Sequence, residues 1–282
     1  MPYDTERASV TLDVPAPHRS STHLFAALSG VEIAEDRHAA YVLGHRIPGG
    51  SPEELGRRLA VALHALLHVG RPVPTLPPEP PCPDVAYEAV LAGVVPDGCR
   101  LVPDGSPGWL TARGSRAQEP GGEMLRVYVH LVGPALAPAV WGAVLRALEV
   151  EAGVPFAARV LADPGRHPRR DALAVRLSAA DRHAAGAVAA AVQGLPGVGA
   201  SVSRFAEPLG AGVAAGWEPA GPRPDFGRHR AGVVAQALAT APVGADLPQV
   251  LATACLRAGI DPTALARNLS SPSLERTCVR DA

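Results

Sequence analysis

Apolar positions change period along this chain, and the changes mark its elements. Val31-Glu32-Ile33 and Tyr41-Val42-Leu43 alternate on either side of a polar turn and predict a hairpin. Ser51-Pro52-Glu53-Glu54 then supplies an N-cap, a proline suited to the first helical turn and an acid three residues after the cap. Leu55, Leu59, Ala62, Leu63, Leu66 and Leu67 follow at helical spacing, and Gly70 ends the helix. His64 and His68 lie four apart on it. That spacing can hold a metal, but no third ligand is near in sequence, so both read as helix surface or partial burial. Seven prolines between residues 71 and 83 predict a stiff extended connector. The chain therefore divides into an N-terminal hairpin-helix region (1–70), a Pro-rich connector (71–83) and a larger domain (84–282).

Residues 84–120 are short-patterned and turn-rich, with Pro96-Asp97-Gly98 and Pro103-Asp104-Gly105 as turn signals and a loop from Arg113 to Gly122. The remainder is more regular. Met124 to Leu131 reads as a strand. Leu136 to Ala152 reads as a helix burying Val140, Trp141, Val144, Leu145 and Leu148, stopped by Gly153. Val154–Leu161 and Asp171–Leu177 read as strands, Ser178 with Asp181 opens a helix ending at Gly194, and Val198–Phe205 reads as a fourth strand. This order, β-α-β-β-α-β, predicts an α+β fold: a split antiparallel sheet with both helices on one face. Helices at 227–240 and 246–258, the second capped by Asp246 with Gln249, and a short one from Asp261-Pro262 close the chain.

Composition narrows the chemistry. A formal charge of −1 argues against a general nucleic-acid or membrane-surface binder. All 26 basic residues are arginine, so no lysine base, Schiff base or P-loop lysine is available. The four cysteines, Cys82, Cys99, Cys255 and Cys278, form no CxxC pair, which indicates neither a zinc knuckle nor a disulfide framework. Neither a metal nor a cofactor is expected. No secretory segment or long apolar run occurs, and a cytoplasmic location is the expectation.

Charge gathers on particular strands. Arg126, Tyr128 and His130 alternate and share one face of the first strand of the split sheet. Arg159 lies near the end of the second, Arg170-Asp171 opens the third, and Arg176 sits within it. If the two helices cover one face, these residues point to the other, where the terminal helices can close over them. Downstream, Asp225-Phe226-Gly227-Arg228-His229-Arg230 opens a helix, with Asp225 as N-cap. Arg228, His229 and Arg230 would form a phosphate cradle with a proton-transfer group attached. Arginines on an exposed sheet face or helix start are also ordinary solvated residues. Several guanidiniums, an imidazole, a phenol and a carboxylate suit a phosphorylated substrate. The chain has no GxSxG elbow, and its Gly194–Gly199 run holds a proline and ends a helix instead of opening one, so nucleotide-driven phosphoryl transfer is not expected.

Leu125-Arg126-Val127-Tyr128, Val154 through Leu161, Arg170-Asp171-Ala172, Pro208-Leu209 through Glu218-Pro219, and Asp225 through Arg230 occur in the order of the HopA-type effector domain, which this chain resembles over roughly residues 121–270. That family is named for a type III secreted effector of plant pathogens. Its biosynthetic members are similar to the lyase component of class V lanthipeptide synthetases and thioamitide pathways. The resemblance implies a lyase that eliminates phosphate from phosphoserine or phosphothreonine to leave dehydroalanine or dehydrobutyrine. It implies two partners, a kinase-like phosphotransferase and a Ser/Thr-containing precursor peptide. Family members usually carry lysine where this chain has Arg159, and tyrosine where it has Arg176.

Elimination needs a base for the peptide α-proton and positive charge for the departing phosphate. The expected assignment is Arg159, Arg170 and Arg230 on the phosphate, with Arg126, Arg176 and Arg228 as further phosphate ligands. His229 or Tyr128 moves the proton, the latter with its pKa lowered by neighbouring arginines. Asp171 orients an arginine or a histidine. The alternative is a catalytically degenerate scaffold that binds the precursor peptide and the kinase-like protein.

Overall fold

The computed structural model describes residues 9–11, 22–73, 84–103, 106–117, 122–219, 221 and 224–274. Most of the Pro-rich connector (74–83), two of the four cysteines (Cys82 and Cys278) and the turn residues 104–105 lie outside the described residues.

The hairpin foreseen at 31–43 is the centre of a four-stranded antiparallel sheet, β1 (Ser9–Thr11), β2 (Val31–Ala34), β3 (Ala39–Val42) and β4 (His45–Pro48), with α1 (Thr22–Ala27) before β2. Alternation sets its faces: Val31 and Ile33 are buried while Glu32 and Ala34 are partly open. Helix α2 (Pro52–Leu63) begins where the cap signature placed it. Ser51 Oγ accepts from the Glu54 N–H at 3.2 Å, and the Glu54 carboxylate accepts from the Gly50 N–H at 2.9 Å. It continues as a wider π-helical turn, His64–Val69, and stops at Gly70 in the left-handed region, φ 82°.

The described residues between 84 and 117 hold more regular structure than their turn signals suggest. Asp84 accepts from the N–H groups of Ala86 and Tyr87, both at 3.0 Å, and starts α3 (Val85–Gly93). Two strands follow, β5 (Arg100–Val102) and β6 (Trp109–Arg113). They extend a second sheet made of β7 (Met124–Leu131), β8 (Ala157–Leu161), β9 (Arg169–Ser178), β10 (Glu207–Gly210) and β11 (Val213–Trp217). Its order is β10-β11-β7-β9-β8-β6-β5, antiparallel throughout. Strand β9 sits between β7 and β8, with α4 (Ala137–Arg146) and α5 (Ala184–Val192) as the connections. The fold is therefore α+β with the split arrangement.

The fourth place in the split sheet is filled differently from expectation. Residues 198–205 make only a single bridge, Leu131 to Val198, and Phe205 turns into the core. The β10–β11 hairpin pairs with β7 instead. Strand β11 (Val-Ala-Ala-Gly-Trp) is buried at every position. Its Gly216 is required, because a Cβ there would lie 2.5 Å from the Phe226 ring. Two buried cores result. One face of the large sheet packs Leu125, Val127 and Val129 on Val140, Trp141 and Val188 of α4 and α5. The other face, with Tyr128, Ala174 and Ala214, packs on α2, on α6 (Phe226–Thr240) and on α7 (Leu247–Arg257).

Asp225 caps α6 as expected, accepting from the Arg228 N–H at 3.0 Å. Asp246 occupies the cap position of α7 but its side chain accepts no hydrogen bond there. The short helix expected at 261 is a turn, in which the Asp261 carboxylate accepts from Thr263 N–H and O–H at 2.8 and 2.6 Å. Among the described residues no helix is long and apolar enough to cross a membrane.

Candidate functional site

The α2/α6 face of the large sheet collects charge in two cross-strand rows. One row runs Ala214, Tyr128, Ala174, Arg159, Thr111; the next runs Gly216, Arg126, Arg176, Ala157, Arg113. In the first row small residues alternate with long ones, so Arg159 lies beside Ala174; in the second, Arg126 lies between Gly216 and Arg176. Arg126 Nε lies 2.5 Å from the Glu218 carboxylate, with only 14% of either side chain exposed. Its Nη1 is buried without a hydrogen-bond partner among the described residues, as is Arg159 Nε. Arg159 stacks on Trp109 with its guanidinium carbon 4.4 Å from the ring centre, and Arg169 approaches the same ring at 5.5 Å. Asp171 grips Arg169 in a fork, with Nε and Nη2 each 2.8 Å from a carboxylate oxygen.

Why Arg169 and not Arg170? Strict alternation counted back from Ala174 puts 172 and 170 on the face of Tyr128. The β7–β9 register breaks between Val129 and Leu131: Val129 faces Leu173, but Leu131 faces Arg169. Extra residues are thus looped out of β9, and Ala172 packs beside Leu173 in the opposite core. Beyond the bulge the faces are exchanged. Asp171 is buried within the field of His64 and His68. Arg169, Asp171's partner, comes with it. Arg170 is diverted to the end of the π-helical turn, donating to the carbonyls of Leu66 (3.1 Å) and Leu67 (3.3 Å) and to Ser201 Oγ (3.2 Å).

The expected convergence of Arg159, Arg170 and Arg230 therefore does not occur. Arg230 is wholly buried and donates to the carbonyls of Leu265 (2.8 Å) and Trp217 (3.3 Å) and to Asn268 Oδ1 (2.7 Å). His229 lies 2.8 Å from Arg230 Nη1 and lines a groove between α6 and α7. Arg228 is exposed, 3.8 Å from Asp225. Arg176 is directly opposite Arg126 across the β7–β9 ladder and exposed. Tyr128 is at the centre of the site, but its phenol is pushed well above its ordinary pKa. Burial outweighs the opposing pull of Arg126. That reverses the expectation that arginines would make it a base.

Two histidines read as helix surface or partial burial belong to the site. His68 is buried edge-on against Tyr128, ring centres 5.0 Å apart, with Nδ1 2.8 Å from Ser203 Oγ. Gly227 makes room for it, since a Cβ there would lie 2.3 Å from the His68 ring. His64 is half-buried one turn earlier, 5.4 Å from His68 between ring centres. Burial lowers its pKa, against the opposing pull of Asp225 and Asp171. It is therefore a neutral imidazole at pH 7. Asp225 belongs to the same set: its carboxyl is held below the usual range, burial being outweighed by the Arg228 N–H and the two imidazoles. Arg126 is kept charged despite burial by the carboxylates of Glu218, Asp225 and Asp171, whereas burial and the charge of Arg126 both depress Arg159. The signal for the histidines was in the sequence: four apart, they flank Leu66 and Leu67 on the apolar stripe. Among the described residues no group of His, Cys, Asp and Glu is arranged to hold a metal.

His68 has a consequence for stability. Burial and then His64 lower its pKa to about 4, with Asp171 opposing, against 6.5 for an unfolded histidine. Between those values the unfolded chain binds the extra proton. Its contribution is thus complete above pH 6.5 and is lost as pH falls toward 4. From pH 7 to pH 5 this site should remove about 2 kcal/mol of folding stability. Urea titrations at the two pH values check it, because a His68→Gln variant must show a smaller drop by that amount.

The arrangement offers a half-buried cationic patch from three neighbouring strands, a neutral imidazole at its rim and a protonated phenol between them. The model of the HopA1 effector protein family matches residues 102–267, more than half of the chain. Among solved structures, the effector protein from Pseudomonas syringae pv. tomato strain DC3000 is similar at 12% identity and a TM-score of 0.57, covering 77% of this chain and 95% of that one. The effector protein from Pseudomonas syringae pv. syringae strain 61 is similar at 14% identity and a TM-score of 0.54, covering 88% and 98%. At such identity these two likenesses speak for the fold. No match is found among curated proteins.

Proposed function

The chain belongs to the HopA1 effector protein family, and from that premise we propose that it is a lyase that eliminates phosphate from phosphoserine or phosphothreonine in a peptide. The observation that carries this reading is the meeting of Arg126, Arg159 and Arg169 from three adjacent strands, with guanidinium nitrogens of Arg126 and Arg159 buried and unpaired. The charges of Arg126 and Arg159 repel each other at partial burial. A phosphate carrying roughly −1.5 to −2 charges would relieve that repulsion and fill the vacant hydrogen bonds.

In this mechanism the phosphoryl oxygens lie on Arg126 and Arg159, with Arg169 held ready by Asp171. His64 takes the α-proton of the phosphorylated residue. The C–H pair becomes the Cα=Cβ bond, the Cβ–O bond breaks, and phosphate leaves with that bonding pair. His64 then releases its proton to phosphate or solvent. Tyr128, kept protonated, donates a hydrogen bond where negative charge develops. Asp225 and Asp171 stabilise the imidazolium that forms on His64. The products are a dehydroamino acid and inorganic phosphate.

The chain has no nucleotide loop and no lysine, so phosphate arrives already on the substrate. A kinase-like phosphotransferase supplies it to a Ser/Thr-containing precursor peptide in the cytoplasm, in the making of a modified peptide of the lanthipeptide or thioamitide type. The purified chain incubated with a phosphothreonine peptide should yield the peptide lighter by one phosphoric acid, together with free phosphate. No elimination from any mixture, combined with tight binding of the kinase-like protein, would replace the lyase by a scaffold.

A further inference from the structure

The groove between α6 and α7 takes no part in the chemistry above, yet it begins beside it. Its volume is about 680 Å³, and its lining includes Gly232, Val233 and Ala237 of α6 and Val250 and Ala254 of α7. The two threonines on its walls turn inward upon their own helices: Thr240 Oγ donates to the Gln236 carbonyl at 2.8 Å and Thr253 Oγ to that of Gln249 at 2.7 Å. The floor is thus apolar. No acidic residue lines the groove, while Arg228, His229 and Arg257 do. The two helices are joined by a short connection and pack as an antiparallel pair, so the start of α6 and the end of α7 are neighbours. All three basic residues therefore stand at one end. That is the end next to Asp225, which Arg228 approaches at 3.8 Å and whose field reaches His64.

We propose that this groove docks an apolar segment of the peptide substrate that carries acidic residues at the end nearest the phosphorylated residue. The inference rests on the lyase reading for the identity of the peptide. The charge pattern supplies the complement: carboxylates against Arg228 and Arg257, apolar side chains between the helices. A segment held here raises the local concentration of the phosphoresidue at the arginine rows by tethering. It also favours acidic substrates over basic ones without touching the reacting atoms.

The test does not need turnover. The probe is a fluorescein-labelled, unphosphorylated peptide of leucines and alanines with glutamates at one end, followed by anisotropy. Gly232→Trp is the blocking variant, since a Cβ at Gly232 meets nothing within 4 Å and the indole can enter the groove without disturbing the helix. The acidic peptide should bind saturably, and a lysine counterpart should bind about tenfold more weakly. Gly232→Trp should weaken the acidic peptide by at least about tenfold, and Arg257→Glu should abolish the charge preference. Equal binding to wild type and Gly232→Trp, no saturable binding, or indifference to peptide charge overturns the proposal. So does a wild-type dimer in sedimentation that Gly232→Trp dissociates, because the groove then belongs to a second copy. A short phosphothreonine peptide without the acidic segment should be eliminated equally by wild type and Gly232→Trp. Its failure with both would count against the lyase reading alone, while anisotropy decides the groove.

Discussion

An Arg159→Met variant is expected to eliminate phosphate about 10²–10³-fold more slowly than wild type, the usual cost of removing one preorganised charge from a developing anion. Methionine keeps an unbranched apolar stem against Trp109, so the packing that Arg159 provides is largely retained. What goes is a cation whose Nε has no partner among the described residues and which Arg126 repels. Removing one of two repelling charges should leave the melting temperature unchanged or raise it. Loss of rate without loss of stability is the signature of a group kept for its substrate. Arg159→Lys restores the charge as a single point, without the planar fork, and should remain within about tenfold of wild type. Single-turnover rates on a phosphothreonine peptide, beside thermal melts of the three proteins, give the comparison. An undiminished rate in the methionine variant would remove Arg159 from the mechanism.

How much of this was legible in the sequence depends on the range of the signal. Local signals read well. The Ser51 cap, the Gly70 and Gly153 stops, the strand at 124–131 and the Asp225 cap follow from side chains acting within a turn of themselves. So does the face shared by Arg126 and Tyr128, because no irregularity interrupts β7 there. Two kinds of error have one cause, pairing with distant chain. The bulge in β9 exchanges the faces of Arg169, Arg170 and Asp171, and nothing in Arg-Arg-Asp announces it. Likewise Val198–Phe205 alternates well enough to suggest a strand, but the edge of β7 is already taken by a tighter hairpin.

The histidines show a different limit. Spacing put His64 and His68 on one side of α2, yet only the packed structure shows Gly216 and Gly227 opening a slot into which Phe226 and His68 fit. Once α6 is docked there, the run Asp225 to Arg230 makes sense residue by residue. Asp225 caps and faces His64, Phe226 fills the gap over Gly216, Gly227 admits the imidazole, and Arg230 turns inward. The motif is a docking device for the helix more than a phosphate cradle.

Arg230→Met follows from that inward turn and should lower folding stability by about 3–5 kcal/mol, since several buried acceptors lose their donor together. The guanidinium is the common partner of Leu265, Trp217 and Asn268. Through them it ties the last described turns to the end of β11. The tie is reinforced where Trp217 N–H donates to Ala266 at 2.7 Å and Asn268 Nδ2 to the Glu218 carbonyl at 2.7 Å. Lysine should rescue little, because one ammonium cannot reach three acceptors that lie in different directions. Glu218 follows Trp217 directly and pairs with Arg126, so loosening this corner also loosens one arm of the phosphate site. Activity should fall as a consequence of unfolding and return as the assay is cooled, whereas Arg159→Met stays slow at every temperature. Urea titration, with elimination rates at two temperatures, separates the cases. A normal urea midpoint with a raised KM for phosphopeptide would place Arg230 on the substrate after all.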